Sequence, residues 1–175
     1  MRTIILLTTF VILFSCSNSS NSIKENDMIY GMEAIDGISF KAQNKDKTET
    51  VNIRIFGIEA PEGKFQAEAK VFLDSLISNK EIVIKKIYSE DKLSNSLSAD
   101  VWFTKEGEET YSDRLDLNPA MKLLVFGLAV YDESSKHELS SDFVNAQVLG
   151  MQKRRSDENK RALKEAIDKG FGKSK

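Results

Sequence analysis

Three charged residues crowd the segment 54–62, RIFGIEAPE. Arg54 lies inside the apolar run 51–56, and Glu59 and Glu62 follow just past its end, on either side of Pro61. A guanidinium can grip an anion through two parallel hydrogen bonds. Two carboxylates supply oxygen ligands to a hard cation or a base for a proton. Charged side chains are rarely buried unless paired. The segment is therefore either a solvated strand edge, with Arg54 and Glu62 as a structural pair, or a place where a cation and two acids converge on a site.

The elements that would position these groups follow from periodicity. Segment 28–35 reads as a strand, and Asp36-Gly37 is a hairpin turn signal. Segment 38–42 alternates apolar and polar residues, and 51–56 forms the third strand after a polar loop at 43–50. Between 62 and 79, Phe65, Ala69, Phe72, Leu73, Leu76 and Ile77 form one apolar stripe at helical spacing. Further strands are predicted at 81–88 and 99–104, with a turn at 105–108. Asn118-Pro119 opens a second helix through 128; a third helix is predicted at 141–155, with another turn or two at 162–168. Five strands followed by packed helices indicate an α+β fold, a small barrel with helices against it.

Composition narrows the class. At 175 residues, with 30% charged and 41% apolar residues, the chain fits one globular domain with a real core and excludes a multi-span membrane protein. The first fifteen residues have one charge, Arg2, then the apolar run 4–14, which is too short to span a bilayer. They read as a signal peptide, 1–15, ending at Cys16, the chain's only cysteine. The order Leu13-Phe14-Ser15-Cys16 resembles a bacterial lipobox, so Cys16 is the expected lipidation site; an ordinary signal peptide with a nearby cysteine is the plainer alternative. The segment 16–27, with its SNSSNS stretch, is then a flexible tether, 28–155 the domain and 156–175 a basic helix or tail. The expected location is the bacterial envelope, exported and anchored by lipid. Loss of 1–15 leaves 24 Lys+Arg against 27 Asp+Glu, net −3. Residues 149–175 carry nine cations and four acids, so 16–148 carry −8. An acidic body collects nucleic acid poorly by charge alone.

The boxes at 36–40 (DGISF), 54–62, Asn118 and 124–129 (LVFGLA) together resemble the staphylococcal nuclease-like family over about 29–131. That resemblance implies an oligonucleotide/oligosaccharide-binding (OB) type barrel of five strands with about three helices. It implies a monomer that hydrolyses phosphodiesters of single-stranded DNA or RNA with Ca²⁺. Carried over, Arg54 grips phosphate, Glu59 and the Ala60 carbonyl hold the metal, and Glu62 activates water. Two roles are empty. Ile38 stands where the first metal carboxylate belongs, with Asp36 a weak substitute, and Asn95 stands where a second arginine belongs. Glu90 and Asp91 are the other nearby acids and Lys92 the nearby cation. One lost electrostatic donor typically costs ~10²–10³ in rate, so activity is expected to be weak or lost. The alternatives are a silent nucleic-acid binder and an envelope protein-interaction module on the same barrel. Phe65, Phe72, Trp102 and Phe103 are expected in the core, and the lone His137, in a polar stretch, at the surface.

Overall fold

The computed structural model describes residues 23–104 and 114–170, the side chains of 162, 163 and 165–170 aside. The expected signal segment 1–15, Cys16 and the turn 105–108 lie outside the described residues. Five strands close into a barrel in the order β1-β2-β3-β6-β5. They are β1 (Met28–Ala34), β2 (Ser39–Asn44), β3 (Thr50–Ile55), β5 (Glu81–Asp91) and β6 (Ser96–Phe103). A separate pair, β4 (Ile58–Glu59) and β7 (Val130–Tyr131), ties the loop after β3 to the loop after the second helix. The helices are α1 (Phe65–Ile77), α2 (Pro119–Val125) and α3 (Ser140–Gly170). The α+β barrel with three helices is thus the fold, in an arrangement consistent with an OB-type barrel.

Period-two alternation builds the barrel wall. Val51, Ile53 and Ile55 of β3 face inward and are buried, while Arg54 faces out. The β1–β2 hairpin turns where the Asp36-Gly37 signal stands. β3 pairs antiparallel with β2, placing Ser39 opposite Arg54, and parallel with β6, placing Ser98 beside it. The parallel pairing closes the barrel and leaves β3 no open edge.

α1 buries Ala69, Leu73 and Ile77, four residues apart on one face. It begins at Phe65, the first residue of its apolar stripe and three residues after the expected start at 62, because Gly63 has φ +62° and breaks helical geometry there. Gly37 fits against the helix because it lacks a Cβ, which would lie 2.8 Å from the Ala69 Cβ. α2 starts on a proline and is capped by Asn118, whose Oδ1 accepts from the Met121 N–H at 3.1 Å.

α2 ends at Val125 rather than 128, where Gly127 has φ +65°, and two segment boundaries also move. α3 is one continuous helix of 31 residues, so no break separates 28–155 from 156–170. Its span from 151 to 169 has no Gly or Pro and is rich in Lys, Arg, Glu and Ala, which sustain a helix. The expected tether 16–27 shortens, since Ile23 is buried in the core. The Asn26 N–H donates to the Ile84 carbonyl at 2.7 Å, and the Ile84 N–H to the Asp27 carbonyl at 3.0 Å.

The α2–α3 crossing depends on Gly150. A Cβ there would collide with the Leu124 carbonyl oxygen and lie 2.7 Å from the Gly127 nitrogen, both backbone atoms that cannot swing away. Gly150→Ala is expected to lower unfolding stability in urea by about 1–3 kcal/mol. Gly63→Ala meets nothing within 4 Å and is expected to cost only the ~1–2 kcal/mol of left-handed backbone strain.

Candidate functional site

Arg54 opens into a cleft of about 400 Å³ on the outside of the barrel. One wall is the β1–β2 turn with Asp36 and Ile38; the floor includes Ala60, and the far wall is α1 with Gln66, Ala67 and Lys70. Gly37 packs closely on Ala69, and Lys70, the next residue of α1, lines the same cleft as Arg54. Asp36 Oδ1 accepts the Ile38 N–H at 2.8 Å, so this carboxylate folds its own turn. Arg54 is exposed, and its strand neighbours Ser39 and Ser98 are half-buried hydroxyl residues that leave the guanidinium room. Among the described residues no ion pair or hydrogen bond engages the side chain of Arg54, Lys70, Glu59 or Glu62, so Arg54 and Glu62 do not form a structural pair.

The expected residues separate into two groups. Arg54, Ala60, Asp36 and Ile38 share the cleft. Glu59 and Glu62 are exposed and are not among its lining residues. Glu59 sits on β4 opposite Val130, and Glu62 lies between buried Pro61 and the break at Gly63. Ile38 is 1% exposed and packs in the core. The position expected to supply a metal carboxylate instead helps seal the barrel. Ca²⁺ takes six to eight oxygen ligands at ~2.3–2.6 Å. Among the described residues no three Asp, Glu, His or Cys side chains stand close enough to hold a metal. The donor set therefore does not fit a calcium ion.

Asn95 does not face this cleft. It adopts φ +48°, donates Nδ2–H to the Thr50 carbonyl at 2.6 Å and accepts the Asn52 N–H at 3.0 Å. Arg54 is level with Ser98, three residues along β6, or ~10 Å at 3.3 Å per residue. The turn containing Asn95 is closed by Asp91, which accepts the Leu93 N–H at 3.0 Å and the Ser94 hydroxyl at 2.7 Å. The Ser94 hydroxyl, with the Leu93 amide, holds the Asp91 carboxyl below the usual carboxylate range. The second cation of the cleft comes from Lys70, which the sequence shows only as one more polar residue on an amphipathic helix.

A buried polar cluster supports the scaffold. Asp100, 5% exposed, accepts Trp102 Nε1–H at 3.0 Å and Asn118 Nδ2–H at 3.1 Å. His137, expected at the surface, is 3% exposed. Its ring stacks on Phe143 with centroids 4.6 Å apart, an aromatic contact that the polar sequence around it hides. Nδ1 accepts the Leu139 N–H at 3.0 Å, which requires the proton on Nε2. Nε2 stands 3.7 Å from Asp100 Oδ1, too far for a hydrogen bond. Trp102 is buried, as expected, whereas Phe65, Phe72 and Phe103 are half-buried.

Asp100 thus ties β6 to the α2 cap. Asp100→Ala would remove the acceptor shared by Trp102 Nε1–H and Asn118 Nδ2–H, and losing a buried acceptor costs ~1–3 kcal/mol per hydrogen bond. The expected loss is about 3 kcal/mol, measured by urea unfolding followed through Trp102 fluorescence. Neither a family model nor a curated protein sequence matches this chain.

Proposed function

We propose that this chain is a divergent staphylococcal nuclease-like protein, exported and held at the cell envelope through Cys16. Its barrel binds single-stranded nucleic acid in the Arg54 cleft, and phosphodiester hydrolysis is weak or lost. The observation that carries the reading is the convergence of two cations, Arg54 from β3 and Lys70 from α1, on one cleft. Among the described lining residues the single carboxylate, Asp36, already accepts a backbone N–H. Arginine suits a phosphate as a planar fork and lysine as a point charge. Ser39 and Ser98 beside Arg54 offer hydroxyls of the kind that position a sugar–phosphate backbone.

The same geometry argues against efficient cleavage. Efficient hydrolysis needs an acid within hydrogen-bond reach of the attacking water. Glu62 is not in the lining of the cleft that would hold the phosphate, and Ile38 is spent on the core. Two phosphate contacts give a modest affinity with a shallow salt response, a slope of about −1.4 in log K against log salt for a single strand.

Fluorescence anisotropy with a labelled oligo(dT) tests this. Arg54→Ala and Lys70→Ala are each expected to weaken binding about tenfold, the effect of one lost charge-assisted contact. Denatured DNA with millimolar Ca²⁺ is expected to be cleaved no faster than by a Glu62→Gln control. Rapid cleavage abolished by that substitution would contradict the loss of activity. Absence of oligonucleotide binding would favour the protein-interaction module.

A further inference from the structure

α1 has a depression on each side of its first turns. One is the Arg54 cleft. The other is a groove of about 710 Å³ where α1, the end of α2 and the middle of α3 meet. Ala67 lines both, so they communicate over a single helix, ~10 Å across. The groove floor is apolar, with Phe65, Phe72, Phe126 and Leu128. Val71 beside it is 71% exposed and Phe126 43%. Large apolar side chains left open together mark a binding surface.

Cations lie directly on these rings. The Arg154 guanidinium carbon is 3.7 Å from the Phe65 centroid, and Lys153 Nζ is 3.8 Å from that of Phe126. Arg154 Nη2 is shielded from water and donates to nothing. A charged donor left unsatisfied is costly, so the site lacks an acceptor. The rim charges indicate its sign. Glu158 is engaged by Lys64 at 3.4 Å and Asp157 by Lys160 at 3.8 Å. Among the described lining residues, Lys64, Lys153, Arg154 and Arg161 outnumber Glu68, Asp157 and Glu158 by one charge. A net-positive rim whose cations lie on aromatic faces fits an anion that itself carries flat rings, as single-stranded nucleic acid does.

We infer that a strand bound at Arg54 and Lys70 crosses α1 at Ala67 and continues into the α1–α2–α3 groove. There a phosphate oxygen accepts from Arg154 Nη2, and a base stacks on Phe126 as Lys153 swings to the backbone. This rests on the cleft being a nucleic-acid site. The path needs no metal and leaves the barrel core untouched.

Binding of labelled oligo(dT) at two lengths separates the claims. One probe is a trinucleotide; the other has about twelve nucleotides, within the ~4–16-nucleotide footprint of such barrels. The longer probe is expected to bind about tenfold tighter or more, as one added stacking contact allows. Phe126→Ala, and separately Lys153→Glu with Arg161→Glu, are expected to erase that gain and leave trinucleotide affinity unchanged. Arg54→Ala weakens both probes. The substituted residues are on the surface, and unchanged urea midpoints serve as the folding control. If the groove variants bind the longer probe like the parent while Arg54→Ala still weakens it, the groove inference is overturned and the cleft reading stands. If neither probe binds the parent protein, both fall.

Discussion

β3 is hydrogen-bonded along both edges, to β2 in antiparallel register and to β6 in parallel. A strand held on both sides cannot slip by one residue without turning Val51, Ile53 and Ile55 out of the core and Arg54 into it. Burying an unpaired guanidinium would cost several kcal/mol, so the register is fixed and Arg54 is held at the surface. The same closure draws in the adjoining turn. The Ile55 N–H donates to the Ile38 carbonyl at 2.9 Å, and the Ile38 side chain goes into the barrel. The cleft is therefore a consequence of barrel closure, with Arg54 outside the barrel and the Ile38 side chain inside it.

α1 supplies the opposite wall, and its placement rests on glycines rather than on caps. Its first residue follows a break at Gly63 and has no side-chain cap. It is located by Gly37 against Ala69, and by Asp74, which accepts the Ala34 N–H at 2.8 Å. α2 and α3 are located differently. The buried Asp100 carboxylate joins β6 to the Asn118 cap, and Gly150 lets α3 cross the end of α2 at backbone distance. These two separate attachments leave the grooves on the two flanks of α1.

Where a residue's role follows from a local period, the sequence showed it. The alternation of β2 and β3, the Asp36-Gly37 turn, the apolar stripe of α1 and the Asn118-Pro119 start of α2 all appear in the fold. What it hid depends on contacts between distant segments. The two-residue strands β4 and β7 are too short to carry a period. His137 sits in a polar stretch and is buried because Phe143 of α3 stacks on it and Phe56, Gly57 and Tyr88 from other segments pack around it. Lys70 looks like any solvated helix residue until the turn at 36–38 packs across the helix from it. Asn95 aligned by sequence frame with a cationic position, but the β3–β6 register places Ser98 beside Arg54 instead. Motif order thus pointed to Arg54 and Asp36, which line one cleft, whereas Lys70 joins them there only through the packing of α1.

In the proposed function the barrel grips an anionic strand between the 36–38 turn, Arg54 and Lys70 without a bound metal. Amide and side-chain chemical-shift mapping of the isotopically labelled protein with oligo(dT), in a metal-chelating buffer, tests it most directly. Saturable shifts are expected at Gly37, Arg54, Ala67 and Lys70, with Asn95 and the Asp91 turn unmoved. Shifts that appear only on adding Ca²⁺, or that centre on Glu59, Glu62 or Asn95, would contradict it.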